Sequence, residues 1–291
     1  MIGYKKFLCQ LFCAETLAFF PKRVKFKYEQ YENAGEEYMK LEKIVKYLDS
    51  ELALSAFAKD ISNNGLQIEA CSEVKKIVFG VDGCFELFEA AAEEKADLII
   101  VHHGISWGGN PRRFSGYTAK RLSLMFEHNI SLYAAHLPLD AHPVLGNNAQ
   151  LCQMLNIESK EKFFEYDGCM IGFIGKLPQK MLLKDIAAIF EDRLDTKGKI
   201  HGDNEVRISK VAIVSGGGGM DSLEQAASAG AELLITGEFC HEMYHLQKEL
   251  NLPVLSLGHY ASETVGVKAL MQEMNEKFDI KCEFIDIPTG L

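Results

Sequence analysis

Two short runs of this sequence carry the same chemistry. His136 is followed one helical turn later by Asp140, and His259 is followed in the same way by Glu263. A third cluster, His102-His103, closes the apolar run Leu98 to Val101. His102, His103, Asp140, His259 and Glu263 together offer three imidazoles and two carboxylates. That mixture suits zinc, iron(II), manganese or cobalt better than magnesium or calcium, which want all-oxygen shells. Five ligands exceed what one tetrahedral ion uses. The set is therefore expected to hold two divalent ions bridged by a carboxylate, about 3.5–4 Å apart. His136 fits as a further ligand or as a base that orients a water.

Other motifs compete for attention. His241, Glu242 and His245 match the H-E-x-x-H pattern of zinc peptidases, with Glu263 downstream as a third ligand. The pattern is short and follows a strand in an α/β repeat, so a partly exposed helix face explains it as well. His241 also lies close in sequence to the strand-end residue Glu238, which makes it a second candidate to move protons. Gly216 to Gly219 falls between a strand and a helix, where backbone N–H groups cradle phosphate or the chain makes a tight turn. Arg112, Arg113, Lys120 and Arg121 form either a solvated face or a site for a small anion. Trp107, near the histidine pair, is placed to stack on a base or to pack. Gly146-Asn147-Asn148 reads as a helix start with an asparagine cap.

The elements that must position these residues come in duplicate. Glu89 to His103 aligns without a gap to Glu224 to Glu238, and Asn129 to Asp140 answers Asn251 to Glu263 with one residue slipped. In the first copy the β-branched run at Lys76 to Val81, the helical pattern from Phe85 and the strand at Leu98 give strand, helix, strand, the order of a parallel sheet. The second copy repeats it at Val211, Ser222 and Leu233. Ligands of open α/β sheets bind beyond the carboxyl ends of the strands. His102-His103, His136, Glu238 and His259 all fall just past such ends. The expected fold is α/β, two related lobes from an internal repeat, with mixed sheets and the metal site between the lobes. The first lobe is expected over 39–165 and the second over 166–257, with 258–291 returning to the first. Residues 158–206 read as less regular, with one strand candidate at Met170 to Gly175.

Composition bounds the setting. A chain of 291 residues with 47% hydrophobic and 25% charged residues is ordinary for a globular protein. Its net charge of −10 argues against a nucleic-acid surface, though not against a small anionic substrate. Eight scattered cysteines without a Cys-x-x-Cys pair indicate a reducing cytoplasm, and no apolar run is long enough to span a membrane. Residues 1–38 are expected to be an extension or a misassigned start. Gly35-Glu36-Glu37 can be encoded by a purine-rich ribosome-binding site ahead of Met39, where a clean amphipathic helix begins.

These motifs resemble a known family. NNGLQ (from Asn63), LIIVHHG (from Leu98), AHLPLDAHPVLGNN (from Ala135), TGE (from Thr236), GHYASE (from Gly258) and FIDIP (from Phe284) look like those of the NIF-three-like dinuclear-metal proteins. Members are often named GTP cyclohydrolase I type 2. The resemblance runs from about Met39 to the C-terminus. It implies a homohexameric ring, two metal ions per subunit on His102, His103, Asp140, His259 and Glu263, and a nucleotide-like substrate. Two departures stand out. The family's Asp-Asn-Val-Gly-Leu-Gln reads Ser62-Asn63-Asn64-Gly65-Leu66-Gln67 here, so the role of that acid is expected to be missing. The large inserted domain of longer members is also expected to be absent. The resulting expectation is a metal-dependent hydrolase. The alternatives are a non-catalytic metal- or partner-binding hexamer, or a zinc peptidase built on His241, Glu242 and His245.

Overall fold

The computed structural model describes residues 38–109 and 111–291. All but the last residue of the expected extension lies outside them. Strand β1 (Met39–Lys40) leads into helix α1 (Leu41–Glu51), whose apolar residues recur at helical spacing and bury Leu41, Ile44 and Leu48. Then follow β2 (Gly65–Ile68), β3 (Glu73–Val74), β4 (Lys76–Asp82), α2 (Phe85–Glu93), β5 (Leu98–His103), α3 (Gly116–Glu127) and β6 (Ser131–Ala134). Strands β1 and β3 pair as a two-stranded ribbon. The short helix α4 (Leu137–Ala141) and helix α5 (Asn147–Met154) come next. After them run β7 (Lys160–Tyr166), β8 (Cys169–Leu182), α6 (Leu183–Leu194), β9 (Lys199–His201) and β10 (Arg207–Val214). The chain ends with α7 (Gly219–Ser228), β11 (Leu233–Thr236), α8 (Met243–Glu249), β12 (Val254–Ser256), α9 (His259–Phe278) and β13 (Lys281–Phe284).

Two mixed sheets result. One has the order β13-β4-β5-β6-β2, parallel except for β2. The other runs β7-β8-β10-β11-β12-β9, with a parallel centre and antiparallel flanks. The final strand β13 thus joins the sheet of β4, while β7 belongs to the six-stranded one. Residues 158–206, read from sequence as less regular, form the long β7–β8 hairpin, helix α6 and strand β9. The periodicity of α6 is present in the sequence: Leu183, Ile186, Ala187 and Phe190 are its buried face.

Both sheets are covered on both sides, as parallel strands require. Helices α1 and α9 pack on one face of the five-stranded sheet, and α2 and α3 close the other. Helix α9 serves both cores. Its Val265 packs beneath the six-stranded sheet with Phe173 and Phe190, while Val267, Leu270 and Met274 pack with Ile77 and Phe79. Each such buried side chain stabilises the fold by about 1.5–3 kcal/mol before entropy is counted. A helix wedged between two cores is therefore a rigid mount for whatever its first turns carry. Among the described residues, no helix is long and apolar enough to cross a membrane.

Candidate metal centre

Strand β5 ends at His102-His103, and the two rings turn into one pocket because β5 stops there and the backbone swings into a loop. Their centroids lie 4.5 Å apart. His102 is fully buried. Its Nδ1 donates to the carbonyl of Ala135 at 2.8 Å, which turns Nε2 toward the centre. The Nδ1 of His103 meets Asp82 Oδ1 at 2.8 Å. Asp82 is the β4 residue paired in register with His103, so the sheet itself brings the two together.

Helix α9 supplies the other side. Its first residue, His259, places Nδ1 2.6 Å from Glu238 Oε1, and one turn later Glu263 enters the centre almost wholly buried. Glu263 Oε1 lies 3.5 Å from His102 Nε2 and 3.3 Å from His259 Nε2, while Oε2 lies 3.4 Å from His103 Nε2. Asp140, on α4, points Oδ2 at His102 Nε2 from 3.5 Å. Its other oxygen accepts hydrogen bonds from Asn147 Nδ2 at 2.9 Å and Ser215 Oγ at 3.0 Å.

The donor set fits a metal. His102 Nε2 and Glu263 Oε2 are buried atoms without a hydrogen-bond partner among the described residues, a costly arrangement for polar groups. Two ligands about 2.1 Å from one tetrahedral ion stand about 3.4 Å apart. The spacings of 3.3–3.5 Å from Glu263 and Asp140 to the histidine Nε2 atoms are of that size. His102, Asp140 and Glu263 form one group able to hold an ion, and His103, His259 and Glu263 form another. A third combines His102, His103 and His136.

Electrostatics tell the same story. Burial pushes the Glu263 carboxyl up, but His102, His259 and His103 outweigh it and hold the group well below the usual carboxylate range. Burial drives His102 toward neutrality, yet the charges of Asp140 and Glu263 lift it to about 10. The hydrogen bond and charge of Glu263, with Glu238 behind, lift His259 to about 9. So much negative potential in a closed site is what a cation would neutralise.

The sequence profile of Duf34/NIF3 (NGG1p interacting factor 3) matches residues 39–290. The chain belongs to the Duf34/NIF3 family. A Pyrococcus horikoshii relative named "GTP cyclohydrolase 1 type 2 homolog" is 48% identical over 256 residues, 87% of this chain and all of that protein. A relative of the same name from Archaeoglobus fulgidus is 44% identical over 253 residues, again 87% of this chain and all of that one. Among solved structures, TTHA1606 from Thermus thermophilus superposes with a TM-score of 0.79 at 36% identity, covering 87% of this chain and all of that one. These matches reach the whole length of the relatives.

Within this Duf34/NIF3 chain the structure gathers His102, His103, Asp140, His259 and Glu263 in one place. His136 joins them at the rim, its ring centroid 5.2 Å from that of His102. Its Nδ1 faces Asp60 Oδ1 at 3.0 Å. The carboxylate expected to be lost with Ser62 thus has a counterpart two residues upstream. Burial pushes the Asp60 carboxyl up, but the hydrogen bond and charge of His136, with hydrogen bonds from Asn64 and the Ser62 N–H, together hold it below its ordinary value. His241 is not brought in. It is exposed, and the cavity of about 140 Å³ beside the centre is lined by His103, His136, Asp140, Phe164 and His259 instead. His241 and Glu242 precede α8, so the H-E-x-x-H residues do not share one regular helix.

The asparagine cap is a correction. Gly146 is the N-cap of α5, and Asn147 and Asn148 are buried with their amides spent elsewhere. Asn147 braces Asp140 and α9, while Asn148 joins Asp140 O, Ile171 O and the Ser215 N–H. Buried amides beside a carboxylate find more partners there than at a helix end. Sequence reasoning also missed Asp82, Asp60, Ser215 and Phe164. Asp82 obeys the strand-end rule that found the histidines. Phe164 carries a φ of +62° while buried in the cavity wall, the kind of backbone strain that collects at functional sites.

Proposed function

We propose that this protein holds two divalent ions in each chain and uses them for metal-assisted hydrolysis of a nucleotide-like substrate. The observation that carries the reading is Glu263, a buried carboxylate whose two oxygens face three histidine Nε2 atoms at 3.3–3.5 Å. In this reading His102, Asp140 and Glu263 hold one ion, and Glu263 shared with His103 and His259 holds the other. Such a pair, when bound, lowers the pKa of a water and polarises the bond under attack. Asp82, Glu238 and Ala135 O take the Nδ1 side of each histidine, so every ring presents Nε2. His136, held by Asp60 at Nδ1, keeps Nε2 free at the cavity and is placed to accept or return a proton.

The nucleotide-like substrate is supported by the name that the Pyrococcus and Archaeoglobus relatives share. Assembly as a homohexamer and residence in the cytoplasm belong to the same proposal, as does reading residues 1–38 as an extension. A non-catalytic metal-binding ring is the alternative. The test is metal content per chain by elemental mass spectrometry on protein made without a metal-affinity tag, followed by a nucleotide hydrolysis screen. Two ions per chain, both lost in Glu263→Ala, are expected. Metal content indifferent to Glu263→Ala would sink the shared-carboxylate reading, and a loaded protein inert to nucleotides would favour the non-catalytic ring.

A further inference from the structure

We infer that the cavity lined by Trp107, Arg112, Arg113, Tyr117 and Arg121 is a phosphate subsite, which seats the anionic part of a substrate beside the metal centre. The cavity measures about 600 Å³. Three guanidinium groups border it, and among the described residues none of the ion pairs includes Arg112, Arg113 or Arg121. In a chain whose net charge is −10, three arginines at one cavity, without an ion pair among the described residues, are a local reversal of sign. Arginine presents a planar fork of donors that matches phosphate oxygens two at a time. Lys120, grouped with them in the sequence, does not line this cavity.

The position ties the cavity to the chemistry. Gly104 and Ile105, which directly follow His103, form part of its wall. Trp107 stands between the two spaces. Its Nε1 donates to Gly104 O at 2.8 Å, which fixes the indole, and its ring meets that of His136 edge-on at 5.1 Å and that of His103 at 6.0 Å. An anion held by the arginines therefore lies one side chain away from the histidines. The aromatic faces add a second recognition element. Arg121 sits 5.4 Å over the Tyr117 ring, and Tyr117 is 74% exposed. A flat ring attached to the phosphate has an aromatic surface to lie against. The substrate class this favours is a phosphate ester of a planar base. That identity rests on the metal-centre reading, whereas anion binding by itself needs no metal.

The test uses a built-in reporter, since Trp107 is the only tryptophan in the chain. Inorganic pyrophosphate is titrated into the full-length protein, chelator-treated and untreated, at constant ionic strength set with KCl. Trp107 fluorescence and calorimetry are read on the same samples. A saturable response is expected without metal. It should weaken at least tenfold in Arg112→Gln/Arg113→Gln and in Arg121→Gln, with metal content unchanged in both. Guanosine 5′-monophosphate should bind at least as tightly as pyrophosphate, and phosphate-free guanosine much more weakly. Pyrophosphate binding that ignores the arginine substitutions, or follows ionic strength alone, overturns the proposal. If arginine-dependent binding persists in a protein that takes up no metal, the subsite stands and the metal reading falls. Two ions with no arginine dependence give the converse.

Discussion

Glu238 Oε1 stands 2.6 Å from Nδ1 of His259, close enough to decide which nitrogen of that ring faces the centre. With Nδ1 donating outward, Nε2 is left to meet Glu263 at 3.3 Å. Asp82 does the same for His103 at 2.8 Å, from the end of a neighbouring strand. Two carboxylates outside the candidate metal groups thus orient two candidate ligands.

Such outer partners carry weight in metal affinity, typically about 10–100-fold each. Glu238→Gln and Asp82→Asn are expected to weaken zinc binding by that order while leaving every proposed ligand in place. Competition against a chromophoric chelator measures it. Native affinity in both variants would mean that packing alone aims the rings.

Gly216 offers a sharper test of the geometry. It follows β10 with a φ of +61°, and a Cβ added there would land on the Glu263 carboxylate, with His259 Nε2 at 3.2 Å. Gly216→Ala should therefore displace Glu263 and lower metal content. Left-handed strain and crowding together should destabilise the fold by about 1–3 kcal/mol. Denaturant melts and elemental analysis read the two effects separately. Full metal occupancy in this variant would contradict the place assigned to Glu263.

The same particulars show how much the sequence disclosed. His102, His103, His136, Glu238 and His259 were legible because strand ends are legible: an apolar run stops, and the next polar residues face the ligand side. Glu263 and Asp140 followed from one-turn spacing. Asp60 was hidden by its loop, whose path only the folded chain reveals. Asp82 was visible in principle, but its bond to His103 depends on the register of β4 against β5, which side-chain patterns do not fix. Asn147 and Asn148 misled because an asparagine at a helix start has a strong local role, and tertiary contacts overrode it. Strand β8 was partly legible as the run Met170 to Gly175. Strand β7, built largely of exposed Lys and Glu, and helix α6 were overlooked, although α6 has a clear apolar face and Asp167-Gly168 marks the hairpin turn.

The H-E-x-x-H match yields a negative prediction. His241, Glu242 and His245 are exposed and belong to no metal-capable cluster among the described residues. His241→Ala and His245→Ala should leave metal content unchanged, and stability within about 0.5 kcal/mol, as for ordinary surface changes. Loss of an ion on replacing His241 would revive the peptidase reading. Loss of nucleotide turnover with metal retained would instead restore His241 as a proton carrier.

The pH dependence should run in opposite directions with and without metal. Without an ion, His102 and His259 titrate near 10 and 9, so both carry a proton at neutral pH. An ion must expel those protons to bind. Affinity should therefore climb from pH 7 to 9, with proton release visible to an indicator dye in weak buffer. Stability of the metal-free protein has the other sign. A histidine whose pKa is raised on folding contributes fully below its unfolded value of about 6.5, and that contribution is lost as pH rises through the folded value. The metal-free melting temperature should thus fall between pH 7 and 10, while the increment gained on adding zinc grows. The His259→Gln variant separates this from lysine and tyrosine titration, because its metal-free decline should be shallower than that of the native chain. Parallel declines in the two proteins would show that His259 is not held charged by Glu263 and Glu238.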